Sequence, residues 1–101
     1  MRRIMSLPLD EEEKFLALLR EVHRFPMAYD VRVICLAATA EWLPERLTHE
    51  TQLPLVGTPG RRESSAGKYV SLQLQILVQD APDVVRAYQA IRVMEGVKSY
   101  F

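Results

Sequence analysis

Arg61, Arg62, Ser64, Ser65 and Lys68 crowd around Gly67 in one short stretch of the chain. Guanidinium and ammonium groups, hydroxyls and the amide N–H groups of a turn make a donor set that can hold a small anion or an acidic side chain. Gly60, upstream of Gly67-Lys68, invites a sharper reading: a phosphate loop whose backbone amides and lysine cradle a nucleotide. The spacing excludes it. Six residues rather than four separate the two glycines, Tyr69 stands where Ser or Thr must hold the metal, and the residues that follow alternate instead of opening a helix. The stretch reads as a hairpin turn, with Gly67 supplying positive φ and the serines bonding local backbone. It offers Arg62, Ser64, Ser65, Gly67, Lys68, Tyr69 and Ser71 as candidate contacts for an anion or a partner. Arg32 joins them, because a guanidinium in a strand must lie on an open sheet face or be paired.

These residues are positioned by the strands around them. From Lys68 to Gln79, Val70, Leu72, Leu74, Ile76 and Val78 alternate with Tyr69, Ser71, Gln73, Gln75 and Leu77, the period of a sheet with one buried face. Ala28 to Leu36 alternates likewise, Tyr29, Val31, Val33 and Cys35 against Asp30, Arg32 and Ile34. Asp10 to about Arg24 is predicted as a helix, with Asp10 as N-cap, Glu13 in capping-box spacing and a stripe of Phe15, Leu18, Leu19 and Val22, ended by Phe25-Pro26. A second helix is expected from about Glu41 to Gln52. Pro44 is harmless there only in the first turn. Leu55 to Glu63, interrupted by Gly57, Pro59 and Gly60, reads as a short or irregular edge strand. Asp80 caps a helix over Ala81 to Val93, Gly96 ends it, and Val97 to Phe101 makes a last strand.

An added helix followed by β-α-β-β-α-β predicts an α+β, ferredoxin-like domain: a four-stranded antiparallel sheet in order 4-1-3-2 with two helices on one face. Residues 1–24 form the helical extension and residues 25–101 the domain. Val31, Val33, Leu72, Leu74, Ile76, Val84, Tyr88 and Ile91 are expected to share the core.

Other chemistry is missing its parts. Cys35 falls on a core face with no identifiable base and behaves as a small apolar residue. His23 and His49 have no carboxylate or thiol at ligand spacing and read as surface residues. Glu11 to Glu13 are accounted for by a helix first turn, and no Gly-x-Ser-x-Gly elbow occurs. An acylphosphatase-type site needs a phosphate-cradling loop after the first strand, yet Leu36 to Ala40 contains neither Gly nor Arg. No enzyme activity, metal or cofactor is therefore expected. Thirteen Lys and Arg against thirteen Asp and Glu give zero formal charge, which weighs against nucleic acid bound by bulk charge. No apolar run nears a membrane span, and Met1 to Met5 lacks a signal-peptide core, so a cytoplasmic protein is expected.

Phe25-Pro26, Tyr29 and Arg32-Val33, the string Arg62-x-Ser64-Ser65-x-Gly67-Lys68-Tyr69-x-Ser71 and Val97-Lys98 occur in an order that resembles the YbeD-like family of small bacterial proteins, a domain of unknown function. The resemblance runs from Phe25 to Phe101. It departs at Cys35, where relatives usually have Gly, and at Ala66, where a basic residue is common. It implies a ferredoxin-like fold similar to ACT regulatory domains, with no established activity. The expected function is a non-catalytic regulatory module binding a protein or small anionic ligand; the alternative is an RNA-binding module using the open sheet face, for which Tyr69 is the one good stacking candidate. The helical stripe is expected to dock either on its own chain, the favoured site, or on a second subunit in a two-fold arrangement, with at least a weak homodimer through the open face or an edge strand.

Overall fold

Two ten-residue strands, β1 (Met27–Leu36) and β3 (Tyr69–Val78), pair antiparallel in unbroken register from Met27 opposite Val78 to Leu36 opposite Tyr69. The computed structural model describes residues 6–101, with side chains from residue 11 onward. β4 (Val97–Tyr100) adds to the free edge of β1 and β2 (Gly60–Glu63) to that of β3, giving the order β2-β3-β1-β4. Leu55 touches Ile76 through an isolated bridge, so the edge strand expected from Leu55 shrinks to its last four residues. Pro54 and Pro59 lack the N–H that a continuous ladder requires there.

On one face of the sheet lie α2 (Ala37–Ala40), α3 (Leu43–Thr51) and α4 (Ala81–Arg92). The alternation set the burial: Val31, Val33, Cys35, Val70, Leu74, Ile76 and Val78 are fully enclosed, with Leu43, Leu47, Val84 and Ile91 packed from the helices. Tyr88 is only partly buried and lies at the margin of this core. The chain turns helical directly after β1, earlier than the start expected at Glu41. A break at Glu41 and Trp42 then lets Pro44 fall in the first turn of α3, where its missing N–H is not needed. Asp80 caps α4 as expected, its carboxylate accepting from the Ala81 N–H at 2.7 Å.

α1 (Ser6–Val22) begins four residues before the expected cap, so Asp10 lies inside the helix. Pro8 sits in the first turn, where proline is tolerated, and the Asp-x-x-Glu spacing that resembles a capping box falls in the second. The stripe divides. Leu19 is buried and Leu16 half-buried against the core, whereas Leu18 and Val22 are 55% and 65% exposed. Arg20 clamps this docking by donating to both Asp80 carboxylate oxygens, at 3.0 and 3.2 Å, and the pair holds Asp80 below the usual carboxylate range. His23, expected at the surface, is half-buried instead, edge-on to Tyr29 with ring centroids 5.3 Å apart. Tyr29 in turn meets Tyr88, whose hydroxyl is pushed upward in pKa by burial and then by its bond with Tyr29. The Phe25-Pro26 peptide that links α1 to β1 is cis.

Two outcomes follow from this packing. Leu74→Ala should lower unfolding stability by roughly 2–5 kcal/mol in denaturant titration, because the side chain is fully enclosed on a central strand; a change below about 0.5 kcal/mol would contradict the assignment. Gly96 has φ +90°, and a Cβ there would collide with the Thr39 Oγ1 that donates to the Glu95 carbonyl. Gly96→Ala should thus cost more than the roughly 1–3 kcal/mol of overpacking alone, read by the same titration, while Gly67→Ala, which meets nothing, should cost less.

Candidate anion site on the open sheet face

The pairing register sorts the candidate residues by face. Arg62 stands opposite Ser71 and Gly60 opposite Gln73, while Gln73 also stands opposite Arg32. All point away from the helices. Together with the edge of Arg61 they line a shallow cavity of about 270 Å³ on the open face. Gly60 contributes by having no side chain: a Cβ there would rest on Gln73 at 3.5 Å and fill the floor.

Adjacent arginines in β2 do opposite things. Arg61 stands opposite Leu72, on the helix side, and is engaged by Glu41 at 2.9 Å and Glu63 at 3.7 Å. Arg62 and Arg32 make no ion pair among the described residues. Asp30, the acid nearest in sequence on the same face as Arg32, accepts instead from Gln75 at 3.1 Å. The cavity therefore presents two guanidinium groups, a hydroxyl and an amide with no carboxylate in its lining. Fork-shaped guanidiniums suit the paired oxygens of carboxylate or phosphate. A space of this size, below the roughly 300 Å³ lower bound of drug-sized pockets, fits an anion of a few heavy atoms.

The hairpin turn is mostly scaffold. Ser64 accepts from the Gly67 N–H through its carbonyl at 2.9 Å and from the Tyr69 N–H through its hydroxyl at 3.2 Å, and its own N–H donates to the Tyr69 carbonyl. Gly67 has φ +76°, as a tight turn between antiparallel strands requires. Ser65 is exposed and makes no side-chain bond among the described residues, and neither serine nor Gly67 lines the cavity. Lys68 and Tyr69 sit at the far end of the open face. There Lys68 and Lys98 place their ammonium groups 5.5 and 4.5 Å from the Tyr69 ring centroid.

Lys98 reaches that ring because of a β-bulge. Cys35 pairs with Val97 and Ile34 with Ser99, so Lys98 is the extra residue between them. Gly60, Gln73 and Lys98 were not among the sequence candidates; Gln73 was legible as a polar position on the alternating strand, whereas Gly60 and Lys98 required the register. Cys35 is enclosed beneath the sheet and burial pushes its thiol up in pKa against a smaller pull from Arg61, leaving it protonated.

Fold and motif agree with comparison to known families. The chain belongs to the YbeD-like family: a family model described as Protein of unknown function (DUF493) matches residues 20–101. That match takes in the whole sheet and α2 to α4 and begins inside α1. No curated protein matches the chain. Among the described residues no helix is long and apolar enough to cross a membrane.

The division of labour among the serines is directly measurable. Ser64→Ala should destabilise the protein by about 0.5–1.5 kcal/mol through the lost hairpin bond, and Ser65→Ala should stay within about 0.5 kcal/mol of the parent. Equal effects in denaturant unfolding would mean that the hydroxyl of Ser64 is not what closes the turn.

Proposed function

We propose that the protein is a non-catalytic regulatory module that binds a small anionic ligand, or an acidic side chain of a partner protein, in the open-face cavity. The observation that carries this reading is the convergence of Arg32 and Arg62, neither of them ion-paired among the described residues, on a cavity without a carboxylate. Charges held this way in a folded domain repel each other, and a bound anion relieves that repulsion while accepting their hydrogen bonds. Ser71 and Gln73 add neutral donors that fix orientation. Nothing around the cavity resembles a nucleophile or general base: Ser71 has no histidine beside it, and Cys35 is sealed under the sheet.

The RNA reading has less support. Tyr69 is half-buried, and its ring already carries Lys98, which occupies a face a base would need. Phe101, whose N–H and carbonyl both pair with Arg32, adds an exposed aromatic at the edge of the same face, but not beside Tyr69.

Thermal denaturation with inorganic phosphate, a dicarboxylate and oligouridine as probes tests both readings. Phosphate or dicarboxylate at millimolar concentration should raise Tm, less so in high salt. Arg32→Ala and Arg62→Ala should each weaken that effect by roughly tenfold or more, with stability of the free protein nearly unchanged. Lys68→Ala, outside the cavity, should weaken it less. No shift with either anion, or a shift that survives both arginine substitutions, would overturn the proposal; a response to oligouridine alone would favour the RNA reading.

A further inference from the structure

α1 carries two apolar arcs, of which its own chain covers one. At about 100° per residue, Leu16, Leu19 and His23 share one arc of about 60°, and these are the residues packed against the domain. Phe15, Leu18 and Val22 share an adjacent arc of similar width; they are 38%, 55% and 65% exposed. Three large apolar side chains at spacings of three and four residues form the narrow seam of a coiled coil rather than the broad face of a helix that lies on a globule.

The charges beside the seam specify what covers it. On its outer flank stand Lys14 and Glu21, one heptad apart and opposite in sign, both exposed. We propose that a second copy of this chain docks there, the two α1 helices running antiparallel about a two-fold axis. In that arrangement Phe15 of each helix packs on the partner's Leu18, and each Lys14 meets the partner's Glu21, so the surface is complementary to itself. In a parallel pair the two like flanks lie on opposite sides of the seam, so Lys14 and Glu21 would have no complementary partner across it. Antiparallel pairing also places the acidic stretch Glu11 to Glu13 of one helix toward Arg24, just past the end of the other, and opposes the two helix dipoles. Because α1 sits on the helix layer, the pairing leaves the arginine cavity on the opposite face open and does not depend on what that cavity binds.

A seam of two apolar layers is small, so the association should be weak and concentration-dependent. Sedimentation equilibrium of the full chain from micromolar to millimolar concentration should show the mass rising from one chain toward two. Leu18→Glu, at an exposed position, should abolish the rise while circular dichroism stays unchanged. Lys14→Glu and Glu21→Lys should each weaken association by roughly fivefold or more, and the double reversal in one chain should restore it. A chain monomeric throughout would overturn the proposal. So would a dimer that survives Leu18→Glu, or single charge reversals that the double variant fails to rescue.

Discussion

The unbroken antiparallel ladder between β1 and β3 is the constraint on which the remaining structure depends. With the side-chain period at two and no slip from Met27 to Leu36, the register assigns every residue of both strands to a face. One side becomes a continuous apolar surface from Val31 to Cys35 and from Val70 to Val78, which the helices must cover. The other is left as a shelf holding Asp30 and Arg32 beside Ser71, Gln73 and Gln75. Slipping the pairing by one residue would drive Arg32 toward the core, where an unpaired guanidinium costs several kcal/mol or more. The core and the candidate site are thus two sides of the same pairing.

How much of this was legible in the sequence follows from how strictly each segment keeps its period. β1 and β3 alternate without exception on their buried side, and their faces, the order of the sheet and the placement of Arg32 and Ser71 could be read directly. Asp80 before Ala81-Pro82 announced α4. β4 could be placed but not oriented, since Val97 and Tyr100 both face the helix layer although they are three residues apart. Only the bulge at Lys98 reconciles that spacing with a strand, and a bulge leaves no periodic trace in four residues. Arg61 and Arg62 looked equivalent as members of a basic turn. Their separation into one engaged and one unengaged cation depends on Glu41, twenty residues away, and on pairing with Ser71, neither of which local pattern contains. At α1, a sound capping signature at Asp10 was overridden by a helix that starts earlier, since Asp and Glu are also compatible with a helix's second turn.

The open face shows how a chain with zero formal charge still presents a local field. Four of the chain's acids neutralise structural cations: Glu41 and Glu63 on Arg61, Asp83 on Arg86, Asp80 on Arg20. Two cations without such partners among the described residues, Arg32 and Arg62, stand together on the shelf. Net charge is an average over surfaces with different tasks, and at Debye lengths near 8–10 Å a ligand responds to the shelf, not to the sum.

Asp80 has a role that reaches beyond the helix it caps. The same carboxylate that receives the Ala81 N–H also receives the Arg20 guanidinium, so the initiation of α4 and the docking of α1 share one anchor. The appended helix is thereby written into the cooperative unit of the domain. An opening that frees α1 leaves the first turn of α4 with a carboxylate that has lost its orienting cation, and fraying of that turn in turn loosens the hold on Arg20. Two segments sixty residues apart in sequence are thereby coupled through one carboxylate, the coupling expected of parts of a single foldon.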